Sequence, residues 1–164
     1  MEIKTNRGEG LEKLSAESPL LLVFLRHFGC TFCRETMAEI ASRRREVEAQ
    51  GLEIVIVHMV DSEVASQILG VYDLHNVHHI SDPHQSLYRR FGLGSVSFHA
   101  MFGVRNWWRA FVAGLVKGHL IGKPSGDPWQ MPGVFVYHNS EIIDKFDYKF
   151  VSDMPDFSRM SRIA

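Results

Sequence analysis

The chain has 164 residues and a formal net charge of −1 at pH 7. Apolar residues make up 45% and charged residues 23%, the balance of a soluble globular protein, and one domain over residues 1–164 is expected. The near-neutral charge gives no electrostatic footprint for nucleic acid or an anionic membrane, and two cysteines are too few for a disulfide framework.

Met1 to Ser15 is polar and charged. It has no apolar core of the signal-peptide kind, so a cytoplasmic protein in a reducing compartment is expected. Residues 1–18 read as a lead-in, with a helical turn at Leu11 and Leu14 and a boundary at Ser18-Pro19. The run Leu20-Leu21-Leu22-Val23-Phe24-Leu25 is a buried first strand. His27 to Thr31 is a turn in which Gly29 gives backbone freedom. Met37, Ile40, Ala41 and Val47 recur at helical spacing and predict a helix over 34–49, with Arg43, Arg44 and Arg45 on its solvated face and Gly51 closing it.

Ile54-Val55-Ile56-Val57 predicts a second strand, buried on both faces. Asp61 or Ser62 caps a helix over 62–70, and a short strand follows near Val77–Ile80. Asp82-Pro83 opens a further helix to about Phe91, with Pro83 at its first position.

Residues 94–128 form an insert. Val104, Trp107, Trp108, Phe111, Val112, Leu115 and Val116 lie on one stripe of an amphipathic helix. Charges and glycines interrupt it, so no membrane span is expected. Lys123 to Pro128 is turn-rich. Gly133–Tyr137 and Glu141–Tyr148 are two strands joined by the hairpin-length His138-Asn139-Ser140. The order predicts an α/β fold: a mixed central sheet with helices on both faces and a helical insert before the final hairpin.

The feature that carries chemistry is the only cysteine pair, Cys30 and Cys33, at the junction of the first strand and the helix after it. Unpaired N–H groups and the positive end of the helix dipole favour a thiolate there. A second thiol within reach permits thiol–disulfide exchange. Two other readings stand beside this one: an inert buried pair, or half of a zinc site completed by His78 or His79. The zinc reading is weakened because neighbours on a strand point to opposite faces. Arg26 and His27 flank the motif and either could stabilise a thiolate. Arg34 puts a cation at the helix start, which the dipole disfavours unless the side chain folds back toward a sulfur.

The stretch Phe24-Leu25-Arg26-His27-Phe28-Gly29-Cys30-Thr31-Phe32-Cys33-Arg34-Glu35 resembles the signature of the peroxiredoxin-like 2 group of the alkyl hydroperoxide reductase/thiol-specific antioxidant (AhpC/TSA) lineage, with a thioredoxin-like fold. Lys117-Gly118-His119, Gly126-Asp127-Pro128-Trp129-Gln130 and Gly133-Val134-Phe135-Val136 are similar to that group's insert and following strand. The resemblance spans roughly residues 20–150.

It implies a thiol-dependent oxidoreductase in which Cys30 and Cys33 reduce a peroxide, an endoperoxide-like lipid or a protein disulfide. It further implies no cofactor or metal, an external thiol reductant such as a thioredoxin or glutathione system, and room for a homodimer. Two orders of attack stay open. The peroxiredoxin alignment puts the peroxidatic position at Cys33, whereas thioredoxin logic makes Cys30 the attacker. Peroxiredoxins proper carry an arginine just before the strand that here begins at Gly133; this chain has Gln130, Met131 and Pro132. A proline there resembles the cis-proline of thioredoxins, so a cis Met131–Pro132 bond and substrate contact through Met131 and Pro132 are expected. The alternative from another class is a non-catalytic binding or scaffold protein that uses the aromatic insert.

Overall fold

The computed structural model describes residues 3–95, 126–150, 152–160 and 162. The expected helix over Val104–Val116 lies outside them. A five-stranded sheet forms the centre, in the order β3-β2-β1-β4-β5. Its strands are β1 Leu20–Phe24, β2 Glu53–His58, β3 His78–Ser81, β4 Gly133–His138 and β5 Glu141–Phe146. β1 pairs parallel with β2, and β2 with β3; β4 runs antiparallel to both β1 and β5. This is the mixed sheet expected of the α/β fold.

The alternation of side chains along β1 divides the core. Leu21 and Val23 face one side with Ile54, Ile56, Val134 and Val136. That side is covered by α2 (Thr31–Ala49), α3 (Ser62–Val71) and α5 (Phe157–Met160), through residues such as Met37, Ile40, Leu69 and Phe157. Leu20, Leu22 and Phe24 face the other side with Val55, Val57 and Phe135, under α1 (Leu11–Glu17) and α4 (Ser86–Arg90). Strands buried on both faces read as continuous apolar runs, which is why β1 and β2 lack a polar alternation.

Two helix boundaries differ from expectation, each for a local reason. α2 starts at Thr31, with Cys30 as its N-cap and the Arg34 N–H donating to the Cys30 carbonyl at 3.0 Å. Cys33 is therefore inside the first turn. Pro83 is not a first helical residue, because α4 begins only at Ser86 after Gln85 in a left-handed conformation (φ 56°). Asp82 still caps this helix from a distance. Its carboxylate accepts the backbone N–H groups of Ser86 at 2.9 Å, Leu87 at 2.7 Å and Tyr88 at 3.3 Å.

That cap positions Tyr88. Its fully buried hydroxyl donates to the Leu25 and Val57 carbonyls, at the C-terminal ends of β1 and β2. The loop leaving β1 thus starts from a fixed point.

Candidate active site

The loop from Leu25 to Cys30 and the first turn of α2 build the site. The Cys30 N–H donates to the His27 carbonyl at 3.1 Å, which closes the loop. Gly126, with φ +117°, packs on the loop from the other side. A Cβ there would sit 3.2 Å from the Arg26 carbonyl oxygen and 3.3 Å from the Met59 Cβ, so only glycine fits without strain.

Both cysteines are reduced. They are almost entirely buried, Cys30 at 5% and Cys33 at 4% exposure, and both line a small cleft with Arg26, Thr36, Pro132 and Tyr148. Arg26, itself only 8% exposed, donates from Nη2 to Cys30 Sγ at 3.2 Å.

The two sulfurs are driven apart in acidity. A hydrogen bond from the Cys33 thiol brings the Cys30 thiol down to about 6, against the opposing effect of burial, and the Arg26 charge and the Cys33 and Phe32 backbone N–H groups act in the same direction. Cys33 is pushed well above the ordinary thiol range, because it donates to Cys30, is buried and faces the Cys30 charge. The arrangement is one thiolate at the N-cap and one protonated thiol a turn further in. Such a pair can attack an electrophilic oxygen or sulfur and then close on itself.

Of the two cations expected to serve the motif, Arg26 reaches the sulfur. Burial, and then the neighbouring Arg26 charge, lower His27 to about 4, so its imidazole is neutral. Arg34 folds back, but onto the Phe28 carbonyl at 3.1 Å and not onto a sulfur. This relieves a cation in the first helical turn by giving it a backbone partner. Pro132 lies beside the cysteines as expected, but the Met131–Pro132 bond is trans.

Met131 lies away from the cysteine cleft. It lines a neighbouring groove of about 200 Å³ with Phe91, Leu93 and Phe135, and its N–H donates to the Gly94 carbonyl at 3.0 Å. Gln130, two residues further from β4 than Pro132, is buried. Its Nε2 donates to the carbonyls of Leu93 (3.2 Å), Gly94 (3.1 Å) and Met131 (3.2 Å). The amide ties the backbone together, and the positive charge at the site comes from Arg26, in the loop after β1.

No group of three or more metal-ligating side chains exists among the described residues. His78 and His79 point to opposite faces. His78 reaches Glu53 at 2.9 Å, while His79 bonds His58 at 2.9 Å and Ser66 at 2.9 Å. Sequence reasoning missed Tyr148. It ended a predicted strand and gave no other signal, yet it faces both sulfurs.

The sequence profile of the AhpC/TSA family matches residues 4–144. The chain belongs to the AhpC/TSA family. With it goes a peroxiredoxin-like form of the thioredoxin fold. A prostamide/prostaglandin F synthase of Salmo salar is 40% identical over 55 residues, which are 32% of this chain and 28% of that protein. The matched stretch thus spans well under half of the curated relative.

Two solved structures share the fold at low identity. A cysteine-to-serine mutant of peroxiredoxin 6 from Arenicola marina superposes with a TM-score of 0.67 at 13% identity, covering 99% of this chain and 67% of that one. A reduced peroxiredoxin from Vibrio vulnificus in complex with hydrogen peroxide gives 0.66 at 10% identity, covering 99% and 93%. No described helix is long and apolar enough to cross a membrane.

Proposed function

We propose that the chain is a dithiol peroxidase in which Cys30 attacks and Cys33 resolves. The observation that carries this reading is the Arg26 guanidinium on Cys30 Sγ at the head of α2. It stabilises one sulfur as thiolate while the other keeps its proton. The free space in the cleft above the pair is about 10 Å³, room for one water-sized group. That admits the O–O end of a hydroperoxide more readily than an extended peptide disulfide. The structural neighbour that binds hydrogen peroxide supports the same substrate class.

The Cys30 thiolate attacks one peroxide oxygen. An S–O bond forms, the O–O bond breaks and the electron pair leaves on the second oxygen, which takes up a proton to become water or an alcohol. Cys30 is then a sulfenic acid. Cys33 attacks its sulfur, the Cys30–Cys33 bond forms and water departs. Two electrons from an external dithiol or two glutathione-type thiols reopen the disulfide.

Peroxide treatment followed by mass measurement tests the assignment. Cys33→Ser should stop at a sulfenic acid on Cys30, and Cys30→Ser should form no early adduct. An adduct confined to Cys30→Ser would place the attack on Cys33. Equal reactivity of both variants and the parent would remove the paired mechanism.

A further inference from the structure

Two hydroxyls of the cleft lining take no part in the cycle above: that of Thr36, which donates to the Phe32 carbonyl at 2.9 Å, and that of Tyr148. Tyr148 lines the cleft with Cys30, Cys33 and Pro132. Its ring packs on the core and meets Phe146 edge to face, with centroids 4.8 Å apart and planes at 86°.

The turn that follows is fixed. Asp153 Oδ2 accepts the N–H groups of Lys149 and Phe150, each at 2.9 Å, and the Asp153 N–H returns to the Phe150 carbonyl at 3.1 Å. The ring is therefore placed firmly, while its hydroxyl has no hydrogen-bond partner among the described residues. It stands at the mouth of the cleft, beside both sulfurs. Burial and the charges of Cys33, Asp153 and Cys30 raise the phenol far above its ordinary value. It keeps its proton throughout and serves as a donor only. Cys30 does not draw on that donor, since its own contacts come from Cys33, Arg26 and backbone N–H groups.

We propose that Tyr148 is a catalytic residue whose hydroxyl donates a hydrogen bond to the leaving oxygen of the peroxide as the O–O bond breaks. This rests on the peroxidase reading above and extends it. When Cys30 Sγ takes one oxygen, negative charge develops on the other. Tyr148 stabilises that oxygen by hydrogen bonding without giving up its proton, and the proton that completes the alcohol comes from solvent. Removing a donor aimed at a developing oxyanion typically costs about 10²–10³ in rate. For a cleft open to water on one side, the smaller end of that range applies.

The test uses leaving groups of different need. In the full chain carrying Tyr148→Phe, the rate of Cys30 oxidation is measured with tert-butyl hydroperoxide, with peracetic acid and, as an alkylation control, with iodoacetamide. An alkoxide is a poor leaving group and needs the donor; acetate and iodide do not. The expected result is a drop of about a hundredfold with the alkyl hydroperoxide, a drop of less than about threefold with the peracid, and an unchanged alkylation rate and pH midpoint. An equal loss with all three reagents would make Tyr148 a packing residue, and no loss with the alkyl hydroperoxide would leave its hydroxyl idle; either overturns the proposal. A parent chain that forms no Cys30 adduct with any peroxide overturns the peroxidase reading, and the Tyr148 role with it.

Discussion

Replacing Arg26 by methionine keeps the length of a side chain that is only 8% exposed and removes its charge. At the observed 3.2 Å between Nη2 and Cys30 Sγ, two unit charges attract by about 5 kcal/mol at an effective dielectric of 20, before the cost of desolvating the ions. The net effect of an opposite charge at such range is about 1–3 pKa units. The Cys33 thiol and the backbone N–H groups of Phe32 and Cys33 continue to support the thiolate. We therefore expect Cys30 to move from about 6 up to about 8 in Arg26→Met, a differential of about 2.7 kcal/mol. At pH 7 the thiolate fraction falls from about nine-tenths to about one-tenth.

The assay is the pH dependence of alkylation, read at Cys30 by mass. Its midpoint is the decisive quantity, not the rate at neutral pH, because a less acidic thiolate is the stronger nucleophile and partly compensates. A midpoint that stays near 6 in Arg26→Met would refute the assignment of Arg26 as the stabilising cation and leave the effect to the Cys33 thiol and the backbone N–H groups.

Two further outcomes follow from groups elsewhere in the fold. His58 is 1% exposed, and burial, then His79, hold it neutral down to about 3. A depressed histidine binds fewer protons in the folded state, so its stabilising contribution is complete above the unfolded pKa of about 6.5 and declines as pH falls below it. His58 alone should cost the fold about 2 kcal/mol between pH 7 and pH 5; denaturant titration at the two pH values should show this, and His58→Phe should flatten it. A His58→Phe curve as steep as the parent's would remove His58 as the cause.

Asp82→Ala removes the acceptor for three N–H groups at the start of α4 and should lower unfolding free energy by about 2 kcal/mol. Thermal unfolding measures it, and a loss below about 0.5 kcal/mol would mean that water replaces the cap.

The centre of the sheet was legible because β1, β2 and β4 are apolar on both faces, and the helices because their buried positions recur at helical spacing. The candidate site was legible because two cysteines at that spacing occupy a strand-to-helix junction. What escaped is what only tertiary contact decides. The three-residue error at the start of α2 came from starting the helix only after Cys33, whereas Cys30 takes the N-cap role that a hydroxyl or carboxylate usually fills. Pro83 fits a first helical position by its own geometry, but the Asp82 carboxylate reaches past it to N–H groups further along. The proline before β4 was rightly placed beside the sulfurs, although a local pattern could not fix the isomer of the bond before it. The proposed order of attack rests on which sulfur Arg26 touches, a matter of one rotamer in the loop from Leu25 to Cys30. Tyr148 carries no local pattern at all, because its meaning lies in a cleft assembled from β1, α2 and the end of the hairpin.

Gln130 grips three carbonyls, and the guanidinium that meets the Cys30 sulfur sits four residues upstream of that sulfur. Counter-ion and nucleophile are thus carried on a single short stretch of chain, anchored at its start by Tyr88. The groups that lower the Cys30 thiol all lie between Arg26 and Cys33, and none comes from the approach to β4. That leaves the approach to β4 free to change substrate preference without switching off the reagent.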